Sequence, residues 1–368
     1  MRALFLVSDG DWSARARAFV LAARGLRARG HDATVACATE CPVQVRAAAS
    51  DLPVLSLKAN ASATASTLQI RRALRERNFD AVFVHTDGEL MIASSAVRLG
   101  RGGGRVIRRV PPFAPLAEGR GARFARRIAP TGLLFATEAD RARADGSRHR
   151  LPSVIAPLAV DPAEHDRAVP ASSVLGAPPN ATTIACVHDG VDRRKILVLM
   201  RLVALLGERH RELHLVILGG PRQDELRLEG AALGVNARVT YLGAREDELS
   251  ILRAADVGWI AAEGDAAAFA ALDFMAFGTP VIAERTPLTE HFVADGIAGI
   301  LLPRSESPLE LTTVAAMVTA FLAKTEQRAA MGKAARARLE REFSFDGMIR
   351  GYEEAISPAT PRAVQTVA

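Results

Sequence analysis

Two aspartates eight positions apart, Asp265 and Asp273, stand ahead of the run Phe274-Met275-Ala276-Phe277-Gly278-Thr279-Pro280-Val281-Ile282-Ala283. That spacing is about two helical turns, so both carboxylates fall on roughly one face of a helix. A carboxylate where a strand meets a helix can accept hydrogen bonds from sugar hydroxyls. One lying further along can hold a ribose, as acids do in dinucleotide sites. Backbone N–H groups at such a helix start, here at Ala266 and Ala267, can hold phosphate or hydroxyl oxygens. Earlier in the chain, Arg193-Arg194-Lys195 open another helical stretch. Cations are disfavoured at a helix N-terminus, so this trio points to an anionic ligand.

The elements that would carry these residues follow from the alternation of short apolar runs with amphipathic ones. Ala3–Val7, Ala33–Cys37, Val54–Leu57, Ala81–His85, Arg105–Arg109 and Gly132–Ala136 read as buried strands, and Ser13–Arg29 as a helix ended by Gly30. A stretch with Pro170, Pro178 and Pro179 interrupts the pattern. It then restarts with strands at Thr183–Val187, Leu213–Leu218, Arg238–Leu242, Asp256–Ala261, Pro280–Ala283 and Ile300–Leu302. Strand-helix repetition with right-handed crossovers predicts two tandem, doubly wound, Rossmann-like α/β domains facing a central cleft. The expected boundaries are 1–163 for the first domain, 164–181 for a linker, 182–342 for the second, 343–357 for a last helix and 358–368 for a flexible tail.

The totals bound the class. At 368 residues, 49% hydrophobic and 24% charged, the chain is an ordinary globular sequence of two-domain length. Three cysteines, Cys37, Cys41 and Cys186, make neither a disulfide framework nor a zinc set. The opening MRALFLVSDGDW is too short an apolar run for a signal peptide, and no apolar run approaches the roughly 20 residues of a membrane span. The expected location is cytoplasmic. The net charge of +6 is concentrated: residues 101–127 hold eight arginines and one acid, Glu118. This segment reads as a solvated basic face, a grip on an anionic or lipid-linked acceptor, or a peripheral contact with an anionic membrane through Arg120, Arg123, Phe124 and Arg127. No aromatic-interleaved basic groove accompanies it, which argues against nucleic acid.

The stretch from Ala255-Asp256-Val257 through Met275-Ala276-Phe277-Gly278-Thr279-Pro280-Val281 resembles the retaining GT-B glycosyltransferases of family 4. Their two acids fall here on Asp265 and Asp273. Val154-Ile155-Ala156-Pro157-Leu158-Ala159-Val160-Asp161, Leu218-Gly219-Gly220-Pro221, Val239-Thr240-Tyr241-Leu242-Gly243 and Phe343-Ser344-Phe345 are similar to further family segments, in order, over most of the chain. The resemblance implies a nucleotide-diphosphate-sugar donor, Asp273 on its ribose and Asp265 beside the transferred sugar. It also implies the turn Gly219-Gly220 and the cations Arg193, Arg194 and Lys195 about the diphosphate, and a last helix crossing back to the first domain. The family's Gly-Arg pair falls on His188 and Asp189, where His188 can fill in but a carboxylate cannot replace the Arg. On the acceptor side the resemblance places Gly10 and Asp11, with His85, Asp87, Glu89 and Arg109 at neighbouring strand ends. An Asp9-x-Asp11 metal site is not expected, and no cofactor is. The function implied is transfer of a sugar with retention to a saccharide or lipid-linked acceptor in envelope or exopolysaccharide assembly. The alternative is a GT-B protein that binds a saccharide or a partner without turnover, motivated by Asp189 and Ala266–Ala268.

Overall fold

The computed structural model describes all residues except 9, 101–103, 117–118, 146–150, 208–211, 305–306 and 358–368. The expected flexible tail, Asp9 of the Asp-x-Asp motif, Arg101 and Glu118 of the basic segment therefore lie outside the described residues. The chain divides into two units, Met1–Leu158 with the segment from Phe345, and Ala159–Ser344. The first boundary thus falls before residue 163. The stretch expected as a linker belongs to the second unit, where it forms the helix Pro162–Arg167 and a short turn, Ser172–Leu175.

The first unit is a seven-stranded parallel sheet in the order β3-β2-β1-β4-β5-β6-β7. Its strands are β1 (Arg2–Leu6), β2 (Asp32–Ala38), β3 (Val54–Leu57), β4 (Ala81–Val84), β5 (Arg105–Arg109), β6 (Thr131–Phe135) and β7 (Ser153–Ile155). The central strands are buried on both faces, as an all-parallel sheet requires, and so read as continuous apolar runs. Phe5 stacks on Phe83 at 4.9 Å between ring centroids, with Phe19 edge-on at 5.2 Å and Tyr352 tilted onto Phe83 at 5.0 Å. Tyr352 comes from the last helix, Phe345–Ile356, which packs in this unit. Gly25 permits that packing: a Cβ there would lie 2.2 Å from Ile349 Cδ1. Glu353 completes the seam by accepting from Arg29 at 2.6 Å, and it lies 2.9 Å from His31.

The second unit is a six-stranded parallel sheet in the order β10-β9-β8-β11-β12-β13. Its strands are β8 (Thr182–His188), β9 (Leu213–Gly219), β10 (Val239–Gly243), β11 (Val257–Ala261), β12 (Val281–Glu284) and β13 (Gly299–Leu302). Its core is built from Ile184, Leu215, Ile217 and Trp259 on strands and from Leu199, Met200 and Val203 on the helix Arg193–Leu206. Both sheets reverse direction of growth at one place, between β1 and β4 and between β8 and β11. Open α/β sheets bind ligands beyond the strand ends at such a switch point. No helix among the described residues is long and apolar enough to cross a membrane.

Candidate nucleotide-sugar site

The β8 strand ends at His188, one side of the second unit's switch point. Across the loop, β9 ends in Gly219-Gly220, with φ of +80° and +61°. Only glycine fits here: a Cβ at Gly219 would meet the His188 carbonyl at 2.4 Å, and one at Gly220 would meet His188 Cε1 at 2.0 Å. The imidazole thus lies directly under the glycine turn. Gln223 locks it there, donating from Nε2 to the Gly219 carbonyl at 2.8 Å. Burial, against the weaker opposing pulls of Asp189 and the Gly219 backbone, lowers the proton affinity of His188. The side chain at position 188 is therefore an enclosed ring that burial favours in its neutral form.

Asp189 has a clear local role. Its Oδ1 accepts from Val191 N at 2.9 Å and its Oδ2 from Glu263 N at 2.8 Å. The carboxylate ties the loop after β8 to the loop after β11 and spends both oxygens on backbone donors. An arginine at that position could not make this tie.

The trio of cations begins the helix Arg193–Leu206, whose N-cap, Asp192, accepts from Arg194 N at 3.0 Å. Each cation meets an acid: Arg193 with Glu229 at 2.9 Å, Arg194 with Asp192 at 3.1 Å and Glu284 at 2.7 Å, and Lys195 with Glu263 at 3.1 Å. Burial works against the charge on Arg194, but its carboxylate partners outweigh it and leave the guanidinium more firmly protonated than usual. Its Nη1 is enclosed and donates to nothing among the described residues. Glu263 and Glu284 end the loop after β11 and the strand β12. Asp192, Arg194, Lys195, Glu263 and Glu284 therefore converge on the carboxyl edge of three neighbouring strands.

The acid pair is placed differently from expectation. Both aspartates lie on the helix Gly264–Phe277, which is buried almost all round. Asp265 is in the first turn and 6% exposed. Asp273 is 2% exposed, and its Oδ1 lies 2.7 Å from Nε2 of His165, itself 1% exposed. His165 Nδ1 is 3.0 Å from the Asp161 carbonyl, so the ring bridges two oxygens. The carboxylate expected to face a ribose faces His165 instead; an aspartate, one methylene shorter than glutamate, stays within the packed layer. The backbone donors at Ala266 and Ala267 are also committed, both to the Glu263 carbonyl, at 3.1 and 3.2 Å. They are not open to a phosphate.

His165 was the main residue that sequence reading missed. It sits in the segment read as linker, yet Asp161-Pro162 is an N-cap followed by proline at the first helical position, a start signal that could have revealed its helix. Glu263 and Glu284 carried no signal of their own.

In the first unit, Gly10 has φ +71° and its position would crowd Cys41 at 3.3 Å if it carried a Cβ. Asp11 beside it is exposed. His85 is 6% exposed; its Nε2 lies 2.9 Å from the Arg15 carbonyl and its ring stacks on Phe19 at 3.7 Å, so it is a packed residue rather than one presented to an acceptor. Glu89 is 2% exposed and accepts four hydrogen bonds, from Ser8 N and Oγ at 2.8 and 2.9 Å, His85 N at 2.8 Å and Thr86 N at 3.0 Å. Arg109 is 4% exposed at the end of β5, inward of the open surface. Burial drives the Cys37 thiol up to about 12, with Cys41 adding to it, and raises Cys186 further, so these thiols are inert packing groups.

Residues 171–338 match the family model described as glycosyl transferases group 1. A D-inositol 3-phosphate glycosyltransferase of Mycolicibacterium gilvum is 32% identical over 200 residues, which is 52% of this chain and 43% of that protein. This chain thus spans less than half of that relative's length. Among solved structures, Anabaena HepE in complex with UDP superposes with a TM-score of 0.76 at 18% identity, over 98% of this chain and 100% of that one. A glycosyltransferase from Rickettsia africae gives 0.78 at 13% identity, over 96% and 97%. At these identities the two structures establish the fold, GT-B.

Proposed function

We propose that this chain, whose residues 171–338 match the family model of glycosyl transferases group 1, transfers a sugar from a nucleotide-diphosphate-sugar donor, with retention, to a saccharide or lipid-linked acceptor. The observation that carries this reading is the cation trio at the start of the helix Arg193–Leu206, beside a glycine turn clamped over His188. A departing diphosphate develops negative charge, and preorganised donors aimed at that charge are the main means of accelerating such a step. Arg194 and Lys195 supply it, Arg193 adds to it from the rim, and the backbone of Gly219-Gly220 lets the donor approach closely. Two of the acids that hold these cations, Glu229 and Glu263, are nearly half exposed. Such pairs are worth about 0–1 kcal/mol, so a diphosphate exchanges with them at little cost. No metal is needed in this scheme, because the cations do the neutralising. Asp265, at the start of its helix, is the carboxylate beside the sugar, and Asp273 acts through His165 to fix that helix. UDP, the ligand of the Anabaena fold neighbour, is the first donor nucleotide to try.

The acceptor and the pathway, envelope or exopolysaccharide assembly, rest on the family resemblance. The helix Arg120–Ile128 suits a peripheral role at an anionic membrane: Arg120, Arg123, Phe124 and Arg127 are all exposed on it. Calorimetric titration with UDP-, GDP-, ADP- and TDP-sugars tests the reading. One of them should bind in the micromolar to submillimolar range, and the anomeric configuration of the product should match that of the donor. If none binds at millimolar concentration, the transferase reading fails.

A further inference from the structure

The acids around the cation trio are not alike. The side chain of Glu263, the partner of Lys195, is 48% exposed, whereas that of Glu284, the partner of Arg194, is 17% exposed. Glu284 is the last residue of β12, in register with Leu302 of β13, and its carbonyl accepts from Thr289 Oγ1 at 2.7 Å. Strand pairing and a side-chain hydrogen bond thus fix its backbone. Its side chain borders a recess lined by Val198, Trp259, Leu302 and Val314. An apolar wall lowers the local dielectric and strengthens an ion pair set against it.

Both oxygens of Glu284 fall on one nitrogen of Arg194, Oε1 at 3.0 Å and Oε2 at 2.7 Å from Nη2. Asp192 Oδ2 meets the same nitrogen at 3.1 Å, while its Oδ1 accepts from the Arg194 backbone at 3.0 Å. Arg194 Nη1 has no hydrogen-bond partner among the described residues. The guanidinium is gripped by one arm of its fork, and the donors of the other arm remain for a phosphate oxygen. An untethered arginine gives up its rotamer freedom when it meets an anion; one held in advance has given it up in folding.

We propose that Glu284 is a positioning residue: it sets Arg194 at the carboxyl edge of β12 and stays on it while a diphosphate binds, whereas Glu263 gives Lys195 up. That the diphosphate belongs to a sugar donor rests on the glycosyl-transfer reading; the hold on Arg194 does not.

The test is calorimetric titration of the full chain with pyrophosphate at constant ionic strength. Saturable binding is expected. Glu284→Ala should weaken it about tenfold, the loss of a preorganised charge-assisted contact, and Glu284→Gln, which keeps an oxygen for Nη2, about threefold. By charge alone both variants would bind an anion more tightly, since each removes a carboxylate; positioning predicts the opposite sign. In an Arg194→Gln background Glu284→Ala should have no further effect, because nothing is left to hold; a loss that persists there would come from the surrounding structure. Glu263→Gln should tighten binding about threefold, as it removes the carboxylate that competes for Lys195. Urea midpoints show which variants are folded, and the near-isosteric Glu284→Gln carries the test if Glu284→Ala is not. Absent binding in the parent chain, a Glu284 variant that binds pyrophosphate equally or more tightly, an equal loss with and without Arg194, or a Glu263→Gln variant that binds more weakly overturns the proposal. UDP-sugar affinity measured on the same variants separates the two readings. If pyrophosphate binds as described but no nucleotide sugar does, only the glycosyl-transfer reading falls.

Discussion

Both sheets carry a carboxylate strapped across the same topological position, the gap between the first strand and its crossover neighbour. In the first unit it is Glu89, on the β4 side, reaching back to the loop after β1. In the second it is Asp189, on the β8 side, reaching forward to the loop after β11. Glu89 is 2% exposed and has four donors from its own fold, which leaves it nothing to offer a ligand. Asp189 is half-buried, and around it the fold leaves a glycine turn and three cations held by partly exposed acids. The same device closes one switch point as structure and leaves the other chemically open. Position at a strand end is therefore not enough to identify a site; what matters is whether the polar groups there are already spent.

Four experiments break or sharpen this contrast. Glu89→Ala strips the acceptor from four donors, at about 1–3 kcal/mol for each one left buried, partly recovered by water. A loss near 5 kcal/mol is expected in urea unfolding. A loss under about 1 kcal/mol would show that Glu89 is not the tie described. Asp273→Ala leaves His165 without its acid in a site closed to water, which should cost roughly 3–5 kcal/mol, and replacing both residues with leucine should recover much of that. If Asp273→Ala keeps its stability yet loses donor affinity, the ribose role is reinstated and the His165 pairing is incidental. Lys195→Ala should weaken donor binding about tenfold while changing stability by less than about 1 kcal/mol, since its partner Glu263 is half exposed and can turn to water. A stability loss without an affinity loss would make the trio structural.

The smallest effect is on pH. Burial keeps the proton affinities of His188 and His214 below the ordinary 6.5, so between those lowered values and 6.5 the unfolded chain binds more protons than the folded one. Stability is full above 6.5 and falls as pH drops through that window. His188→Asn should flatten part of the slope in denaturation midpoints taken across it, and an unchanged slope would count against a neutral His188.

The sheets were legible because strands buried on both faces are short apolar runs between turns. Val54–Leu57 and Arg105–Arg109 appear to the residue, and the other expected strands differ by one residue at one or both ends. Strand β7 was not, since three half-buried residues make no pattern. The stretch 164–181 reads as linker because its prolines draw attention from the Asp161-Pro162 helix start just before it. At the site, the cations and glycines were readable in place because local spacing sets them. Their pairing was not: Lys195 meets Glu263 and Arg194 meets Glu284 from 68 and 90 positions away, and only the sheet order brings those ends together. The pairing of Asp273 with His165 is hidden for the same reason, as that partner lies 108 positions earlier.

The contrast between the two switch points is tested most directly by amide hydrogen exchange with and without UDP-glucose. Added protection is expected in the second unit, at residues 188–195, at Gly219-Gly220 and at the start of the helix Gly264–Phe277. The loops after β1 and β4, already tied by Glu89, should remain unchanged. Protection centred on Ser8, His85 and Thr86, with none at the cation trio, would contradict it.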